Sequence, residues 1–360
     1  MITRSLLLAT LAVTAACMQS PEVACVDCSP IQLELLTTLG TEDGPGALSS
    51  DPSAIARDAK GRFYVVTPYM GEELPFVYDS RGVFVTRLGT TGSGPGEYLN
   101  PNFILRLPGD SMAVFDPPNA RLTVLSPELE STRTIPDMPH VYSAALVSNG
   151  DIVVNNSRYP GQPFTRLKTD GTRLGSFGDS VNMENPAVAY LRVIRTLAPS
   201  FAGGTWTSRR FFRYEIVRWD SSGAEELILA DAPDWFQPHS EVRNATPDLP
   251  ATPSIWGIWE DSSGLWVVGR TSDSDWRNVL GEPSRVEGAV HYPVTSIDGA
   301  YDQVLELLDP VTGNRVASRR LDAGGQILVV EPGVVATVRR SETGWVFVDV
   351  WRVSFETDAV

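Results

Sequence analysis

The chain has 360 residues, of which 42% are hydrophobic and 20% are charged, a composition typical of a globular protein and incompatible with wholesale disorder. Its formal net charge of −15 argues against a nucleic-acid partner, because such binding depends on Lys and Arg side chains that neutralise phosphates. The 30 glycines and 27 prolines provide many turns, yet they are too few for a low-complexity chain.

Residues 1–16 are predicted to be a signal peptide. After a short positive start, Ser5–Ala16 forms an apolar run of 12 residues. A membrane span needs about 20 residues, so this run fits the core of a signal peptide and is excluded from the fold. The run leads into Thr14–Cys17 (TAAC), which resembles a bacterial lipobox and implies lipidation of Cys17. The alternative is an ordinary small-residue cleavage site followed by an incidental cysteine.

Residues 17–30 are interpreted as a tether, because they combine Pro, Ser and acidic residues without periodicity. The segment contains Cys25 and Cys28 in a CxxC spacing. No second CxxC follows, so a four-cysteine zinc site is excluded, and no βαβ pattern surrounds the pair as a thioredoxin-like motif requires. A small local disulfide or two plain thiols is the preferred interpretation.

From residue 31 onward the chain consists of short β-like runs separated by turn signals, and internal repeats are visible. Leu39-Gly40 is followed by Gly-Pro-Gly at 44–46, and Leu88-Gly89 is followed by Gly-Pro-Gly at 94–96. A second series consists of a strand, a tight Gly-containing turn and an apolar strand. Its six copies place the residue after the turn at Arg62, Ser111, Asp151, Thr205, Leu265 and Val334.

A further hairpin follows the first in each unit, so each unit is predicted to contain four strands. The sixth unit reaches only its third strand, Trp345–Phe355, before the chain ends. Ile31–Gly40 resembles the fourth strands of the other units, because its Leu-Gly end precedes the same Gly-Pro-Gly segment. The sequence therefore predicts an all-β, six-bladed β-propeller over residues 31–360, made of four-stranded antiparallel blades. The N-terminal strand is expected to close the last blade and leave no open edge.

The second unit also carries a family resemblance. Gly94–Tyr98 (GPGEY) with Pro101, followed by Asp116 and by Asn119–Leu122 (NARL), resembles the NHL-like six-bladed propellers found in bacterial lipoproteins. The match covers roughly residues 90–125, with an echo in the first unit. The resemblance implies a fold and not a chemistry, because propellers include binding scaffolds and several enzyme classes.

Two long connections point to a binding face on blades four and five. One is the link at about 231–253 and the other is a loop insertion in blade five at about 271–300. Both are expected on the same face of the propeller, and long loops in compact domains usually carry function. Aromatic rings suit sugars or apolar groups, and Arg suits carboxylates. The candidate ligand-binding residues are Trp235, Phe236, Trp276 and Tyr292 in these connections, together with Arg209 and Arg210, which flank a turn of blade four on the same face.

No catalytic motif is found: the sequence has no Gly-x-Ser-x-Gly elbow, no His-Glu-x-x-His and no Gly-rich phosphate loop. His140, His239 and His291 are expected on the loop face and are weak candidates for a metal site, because their spacing follows no local motif. Neither a catalytic residue nor a cofactor is predicted.

The preferred hypothesis is an exported, lipid-anchored β-propeller that serves as a ligand- or protein-binding scaffold at the cell envelope. The expected partner is an envelope protein, a peptide or a carbohydrate, and membrane contact is expected through the lipid anchor only. The alternative is a propeller hydrolase of the lactonase type with a metal in the axial channel. Metal analysis of the purified protein separates the two hypotheses.

Overall fold

The computed structural model describes residues 30–67, 74–156, 161–180, 191–286, 289–297, 299–322 and 325–356. The predicted signal peptide and the three cysteines, Cys17, Cys25 and Cys28, lie outside these described residues.

The described residues form six four-stranded antiparallel sheets, which confirms the predicted six-bladed β-propeller. From the innermost strand outward, blade 1 contains Ala54–Arg57, Phe63–Val66, Phe76–Tyr78 and Phe84–Arg87; blade 2 contains Phe103–Arg106, Met112–Asp116, Arg121–Leu125 and Ser131–Pro136; and blade 3 contains Val141–Leu146, Ile152–Asn156, Phe164–Leu167 and Arg173–Phe177. Blade 4 contains Arg195–Pro199, Thr205–Arg209, Ile216–Trp219 and Glu225–Leu229; blade 5 contains Ser254–Asp261, Gly264–Ser272, Tyr301–Leu308 and Arg315–Leu321; and blade 6 contains Ile327–Glu331, Val334–Arg340, Val346–Phe355 and Ile31–Leu39.

Blade 6 is assembled from both ends of the described chain, as the sequence predicts. Ile31–Leu39 pairs antiparallel with Val346–Phe355, and the register runs from Ile31 opposite Phe355 to Leu39 opposite Val348. Ile31 and Leu39 have no exposed surface, so the strand is held by its side chains as well as by its backbone. This pairing covers the third strand, which otherwise presents an unpaired edge to solvent.

Other regular elements are short. Among the described residues, three 3-10 turns span Pro108–Asp110, Pro117–Asn119 and Trp276–Val279. Two small strand pairs join Thr90–Thr91 to Glu97–Tyr98 and Ser284–Val286 to Ala289–His291. Within the described part of the chain, none of the helical segments has the length and apolar character that crossing a membrane requires.

The hydrophobic core lies between the blades and not inside a single layer. Six clusters of buried side chains occur, and each joins residues of two neighbouring blades around the ring. Between blades 5 and 6, for example, Trp259 and Trp266 stack with 5.2 Å between ring centroids and join Ile327 and Val335. Every blade is therefore stabilised by two neighbours, and the ring depends on all six.

The segment that carries the family resemblance serves as a structural brace. Asp116, at the end of the second strand of blade 2, is fully buried. It accepts hydrogen bonds from the backbone N–H groups of Leu99 (3.1 Å) and Asn100 (3.0 Å) and from the side chain of Asn119 (2.7 Å). One carboxylate thus ties the link before blade 2 to the turn between its second and third strands.

Polar contacts also join the innermost strands around the axis. Ser53 Oγ donates to the carbonyl of Asn102 (2.8 Å), and Asn102 Nδ2 donates to the carbonyl of Val141 (2.7 Å). Ser143 Oγ donates to the carbonyl of Arg195 (2.7 Å). These contacts run from blade 1 to blade 4 and fix the positions of the side chains that face the axis.

Candidate functional site

A cavity of about 980 Å³ occupies the propeller axis. All six innermost strands contribute to its wall, together with residues of the adjoining turns and links. Much of the wall is apolar, with Ile55, Leu105, Leu146 and Val329 among the side chains that line it. Its size lies within the roughly 300–1,000 Å³ that small-molecule sites usually have.

The charged groups of the cavity wall are mostly cationic, although the whole chain carries a formal charge of −15. They are Arg57, Arg106, Arg195, Arg210 and Glu331. Glu331 accepts a hydrogen bond from Arg57 at 3.1 Å, so the single carboxylate of the wall is already paired. The cavity therefore carries a positive charge excess that the wall itself does not neutralise.

Arg210 is brought to the axis by its backbone. It lies in the connection between the second and third strands of blade 4, directly after Thr205–Arg209. Its N–H donates to the carbonyl of Ile194 (3.3 Å), and its carbonyl accepts from the N–H of Ile255 (2.9 Å). The residue is thus held between the innermost strands of blades 4 and 5.

The Arg210 guanidinium stacks on an aromatic side chain of the next blade. Its Cζ lies 3.6 Å from the ring centroid of Trp256, whose indole N–H donates to Ser254 Oγ at 2.8 Å. Cζ of Arg270 lies 4.8 Å from the same ring and 4.2 Å from the ring of Tyr301. Burial and the neighbouring Arg270 charge lower the pKa of Arg210 to about 9, and burial also lowers the pKa of Arg270.

Two of the sequence-predicted aromatic residues pack into the protein. Phe236 has no exposed surface and belongs to the core cluster between blades 4 and 5, so it has no face available for a ligand. Trp235 is half-buried and packs edge-to-face against Tyr214 and Phe236, with centroids 6.0 and 5.5 Å away. The link at 231–253 is thereby fastened to the blades.

Trp276 and Tyr292 lie in the connection that joins the second and third strands of blade 5, and both are partly exposed. Trp276 Nε1 donates to the carbonyl of Thr246 (3.1 Å), and Arg277 stacks on its ring with Cζ 3.8 Å from the centroid. The two long connections therefore contact each other, and Trp276 fastens one to the other.

Arg209, next to Arg210, points to different partners. Its guanidinium pairs with Glu215 and lies 3.7 Å from a carboxylate oxygen of Asp179. The two neighbouring arginines thus differ: Arg209 is neutralised by acids, and Arg210 faces the axial cavity.

The three histidines occupy separate environments. His140 lines the cavity, where its ring packs against Tyr142 and burial lowers its pKa. His239 packs against Phe212 and Phe236 and accepts a hydrogen bond from the N–H of Phe212 (3.1 Å). His291 is exposed in the short strand Ala289–His291. Among the described residues these histidines do not form a shared group of metal ligands.

One acidic cluster occurs near the base of the blade-five connection. Carboxylate oxygens of Asp273, Asp302 and Asp322 lie within 4.8 Å of one another. Arg320 forms a salt bridge with Asp302 and donates from Nη2 to the carbonyl of Ser272 (2.9 Å). Burial raises the pKa of Asp302 despite this pairing. The Arg320 guanidinium partly neutralises the cluster.

The charged groups of the axial cavity do not favour a divalent cation. Such ions take carboxylates, carbonyls or several imidazoles. The described wall offers one carboxylate, which is paired with Arg57, one imidazole, and the amide oxygens of Asn100 and Asn102, beside four guanidinium groups.

Sequence reasoning singled out Arg210 but missed its partner, Trp256. Trp256 lies in a strand with three other aromatic or aliphatic neighbours, and the sequence pattern favours packing between blades for it. In the structure it is half-buried and lines the axial cavity. The available signal was its position on an innermost strand, the only strand of a blade that borders the axis.

Comparison with known proteins agrees on the fold. A family model described as a 6-bladed beta-propeller matches residues 45–153, from the link before blade 1 into blade 3. No curated protein matches the chain. A member of the DUF4221 family from Bacteroides vulgatus has 9% identity and a TM-score of 0.59, over 90% of this chain and 99% of that one. A presumed exported protein from Bacteroides fragilis has 10% identity and a TM-score of 0.57, over 91% and 96% of the two chains. At such identities the likeness shows that the chain shares their propeller fold, and it shows no more than that.

Proposed function

We propose that this chain is an exported, lipid-anchored β-propeller that binds a small molecule in its axial cavity and acts as a binding protein at the cell envelope. The observation that carries the proposal is the cavity of about 980 Å³ on the axis, with its apolar wall and a few convergent polar groups. Export and the lipid anchor rest on the apolar run Ser5–Ala16 and on the lipobox-like Thr14–Cys17.

The cavity favours binding over metal-dependent hydrolysis. A lactonase-type mechanism requires a metal that polarises a carbonyl or activates a water molecule. The described wall supplies four guanidinium groups and one carboxylate, and that carboxylate already accepts a hydrogen bond from Arg57. This set of groups suits a ligand with negative or hydrogen-bond-accepting atoms and does not suit a cation.

The long connections of blades 4 and 5 are proposed to border the entrance. Arg210 lies in a connection between second and third strands, and such connections share one face of a propeller with the links between blades. The connections at 231–253 and 273–300 therefore open on the face where Arg210 enters the cavity. We propose that the exposed parts of Trp235, Trp276 and Tyr292 and the neighbouring Arg209 contact the ligand or an envelope partner there.

Extraction of bound small molecules tests the cavity. Wild-type protein is incubated with a cell-envelope extract, washed and denatured, and the released molecules are identified by mass spectrometry. Leu105→Trp and Leu146→Phe each place a larger side chain in the cavity, and Val85→Trp is the control because Val85 is 50% exposed on the outermost strand of blade 1. We expect a molecule that is retained by the wild type and the control and lost from both cavity variants. Equal recovery from all four proteins, with normal melting of each, would place the site elsewhere.

Fractionation tests the anchor. Cys17→Ser is expected to move the protein from the membrane fraction to the soluble fraction, because stable anchoring depends on the acyl chains attached at that residue. Cys28→Ser is the matched control and is expected to stay with the membrane. A mature N-terminus without lipid, as measured by mass spectrometry, would disprove the anchor and leave the cavity proposal standing.

A further inference from the structure

The cationic stack at the axial cavity has no counter-ion among the described residues. Arg210 and Arg270 both lie over Trp256, and neither takes part in any of the salt bridges of the described residues. Arg210 Nε is buried without a hydrogen-bond acceptor. Two guanidinium groups therefore share one indole. A ring face stabilises a desolvated positive charge less than a carboxylate in an ion pair does.

The other arginines of the wall are engaged. Arg57 pairs with Glu331 (3.1 Å), and Arg106 pairs with Asp110 (3.1 Å). Arg195 donates from Nη1 to the carbonyl of Ile194 (3.1 Å). Among the described wall residues, Arg210 alone has a guanidinium for which the structure records no acceptor. A charged group with a buried Nε is normally paired, so the missing partner of the Arg210 guanidinium points to a ligand.

We propose that Arg210 is the anchor of an anion site and that the ligand of the axial cavity carries a carboxylate together with an apolar group. This proposal rests on the proposed function and adds the chemical class of the ligand. The guanidinium fork matches the two oxygens of a carboxylate and allows a bidentate contact. The hydrogen bond from Trp256 to Ser254 holds the indole, and the indole holds the guanidinium, so the site is preorganised.

The rest of the wall suits the apolar part of such a ligand. Ile55, Leu105, Leu146 and Val329 line the cavity together with Arg210 and Trp256. Arg270 adds a second positive charge near Arg210, which raises the attraction for an anion and disfavours a cation. A neutral ligand of the same shape leaves Arg210 without a partner, so the site is expected to discriminate strongly between charge states.

Three matched probes test the inference: 2-naphthoate, its neutral amide 2-naphthamide, and 2-naphthyl phosphate. Binding to the purified full-length protein is measured by calorimetry at constant ionic strength, and the thermal shift is recorded in parallel. Wild type is compared with Arg210→Met, which keeps apolar bulk on Trp256 and removes the charge. Arg218→Met is the control, because Arg218 lies over Trp206 in the same blade (5.6 Å) and is paired with Glu226 outside the cavity.

We expect naphthoate to bind the wild type at least about tenfold more tightly than naphthamide, a preference that Arg210→Met abolishes and Arg218→Met retains. Tighter binding of the phosphate than of the carboxylate would overturn the carboxylate assignment. Equal binding of naphthoate and naphthamide, or unchanged binding by Arg210→Met, would overturn the anion site. In that case, loss of both probes from Leu105→Trp would show that the cavity proposal survives. Absence of binding by all three probes at millimolar concentration, with an Arg210→Met protein that melts below the wild type, would show that Arg210 serves only packing.

Discussion

Blades 2 and 5 have the same four-stranded sheet, but they connect their second and third strands in different ways. Blade 2 uses the short turn Pro117–Asn119, which Asp116 braces from inside the sheet. Blade 5 uses residues 273–300, which contact the link at 231–253 through Trp276. The sheet is therefore common to both blades, and the connection varies. Loop length alone does not mark the site, because the short connection of blade 4 brings Arg210 to the axis.

The largest expected effect comes from removing Ile31–Leu39, the strand that closes blade 6. This deletion tests whether each blade needs all four strands of its sheet. A protein that lacks residues 1–40 is expected to lose cooperative unfolding and to aggregate, because Val346–Phe355 then has an unpaired edge and two core clusters are opened. Thermal unfolding and size-exclusion chromatography are the measurements. Removal of residues 1–29 is the control and is expected to leave both unchanged. Normal melting of the shorter protein would disprove the closure.

Two aromatic truncations test whether blade 5 is stabilised by the link at 231–253 or by its own connection at 273–300. Phe236→Ala is expected to lower the free energy of unfolding by about 3–5 kcal/mol, because the ring is fully buried between blades 4 and 5. Trp276→Ala is expected to lower it by about 1 kcal/mol or less, because the partly exposed indole joins two connections. Denaturant unfolding measures both. A similar fall in the free energy of unfolding for the two variants would mean that the connection at 273–300 is part of the core.

The brace of blade 2 is tested by Asp116→Ala. Three hydrogen-bond donors lose a buried charged acceptor, so the free energy of unfolding is expected to fall by about 3 kcal/mol. Asp309→Ala is the control: this carboxylate accepts from the N–H groups of Val311 and Thr312 in an exposed turn of blade 5, and a smaller change is expected. If the two variants melt alike, the turn of blade 2 is held by its backbone alone.

The smallest expected effect concerns pH and His140 at the cavity. Burial places the pKa of His140 below the roughly 6.5 of the unfolded chain, so the unfolded state takes up a proton first as the pH falls. The stability from this residue is therefore present above pH of about 6.5 and is lost as the pH falls below it. His140→Asn is expected to weaken this pH dependence between about pH 7 and 5, as measured by denaturant midpoints. His291→Asn, in an exposed strand, is the control. An unchanged pH slope in His140→Asn would show that other groups cause it.

The candidate site was accessible from the sequence only in part. Arg210 was found because it stands in a loop on the expected binding face, but the same reasoning selected Phe236, which is fully buried. Loop position does not decide exposure, since a link that crosses two blades can insert a ring between them. The strand pattern around Trp256 favours packing between blades, because it gives no indication of which residues border a cavity.

The sequence by itself determined the number of blades, their four-strand plan and the closure of blade 6, because these follow from short-range turn chemistry repeated along the chain. The tertiary structure alone decided which side chains meet on the axis. Arg210 reaches Trp256 only because its backbone bonds to Ile194 and Ile255 hold it between two blades. Such contacts join residues that are far apart in the chain, and their geometry depends on the closed ring, which has no counterpart in local sequence periodicity.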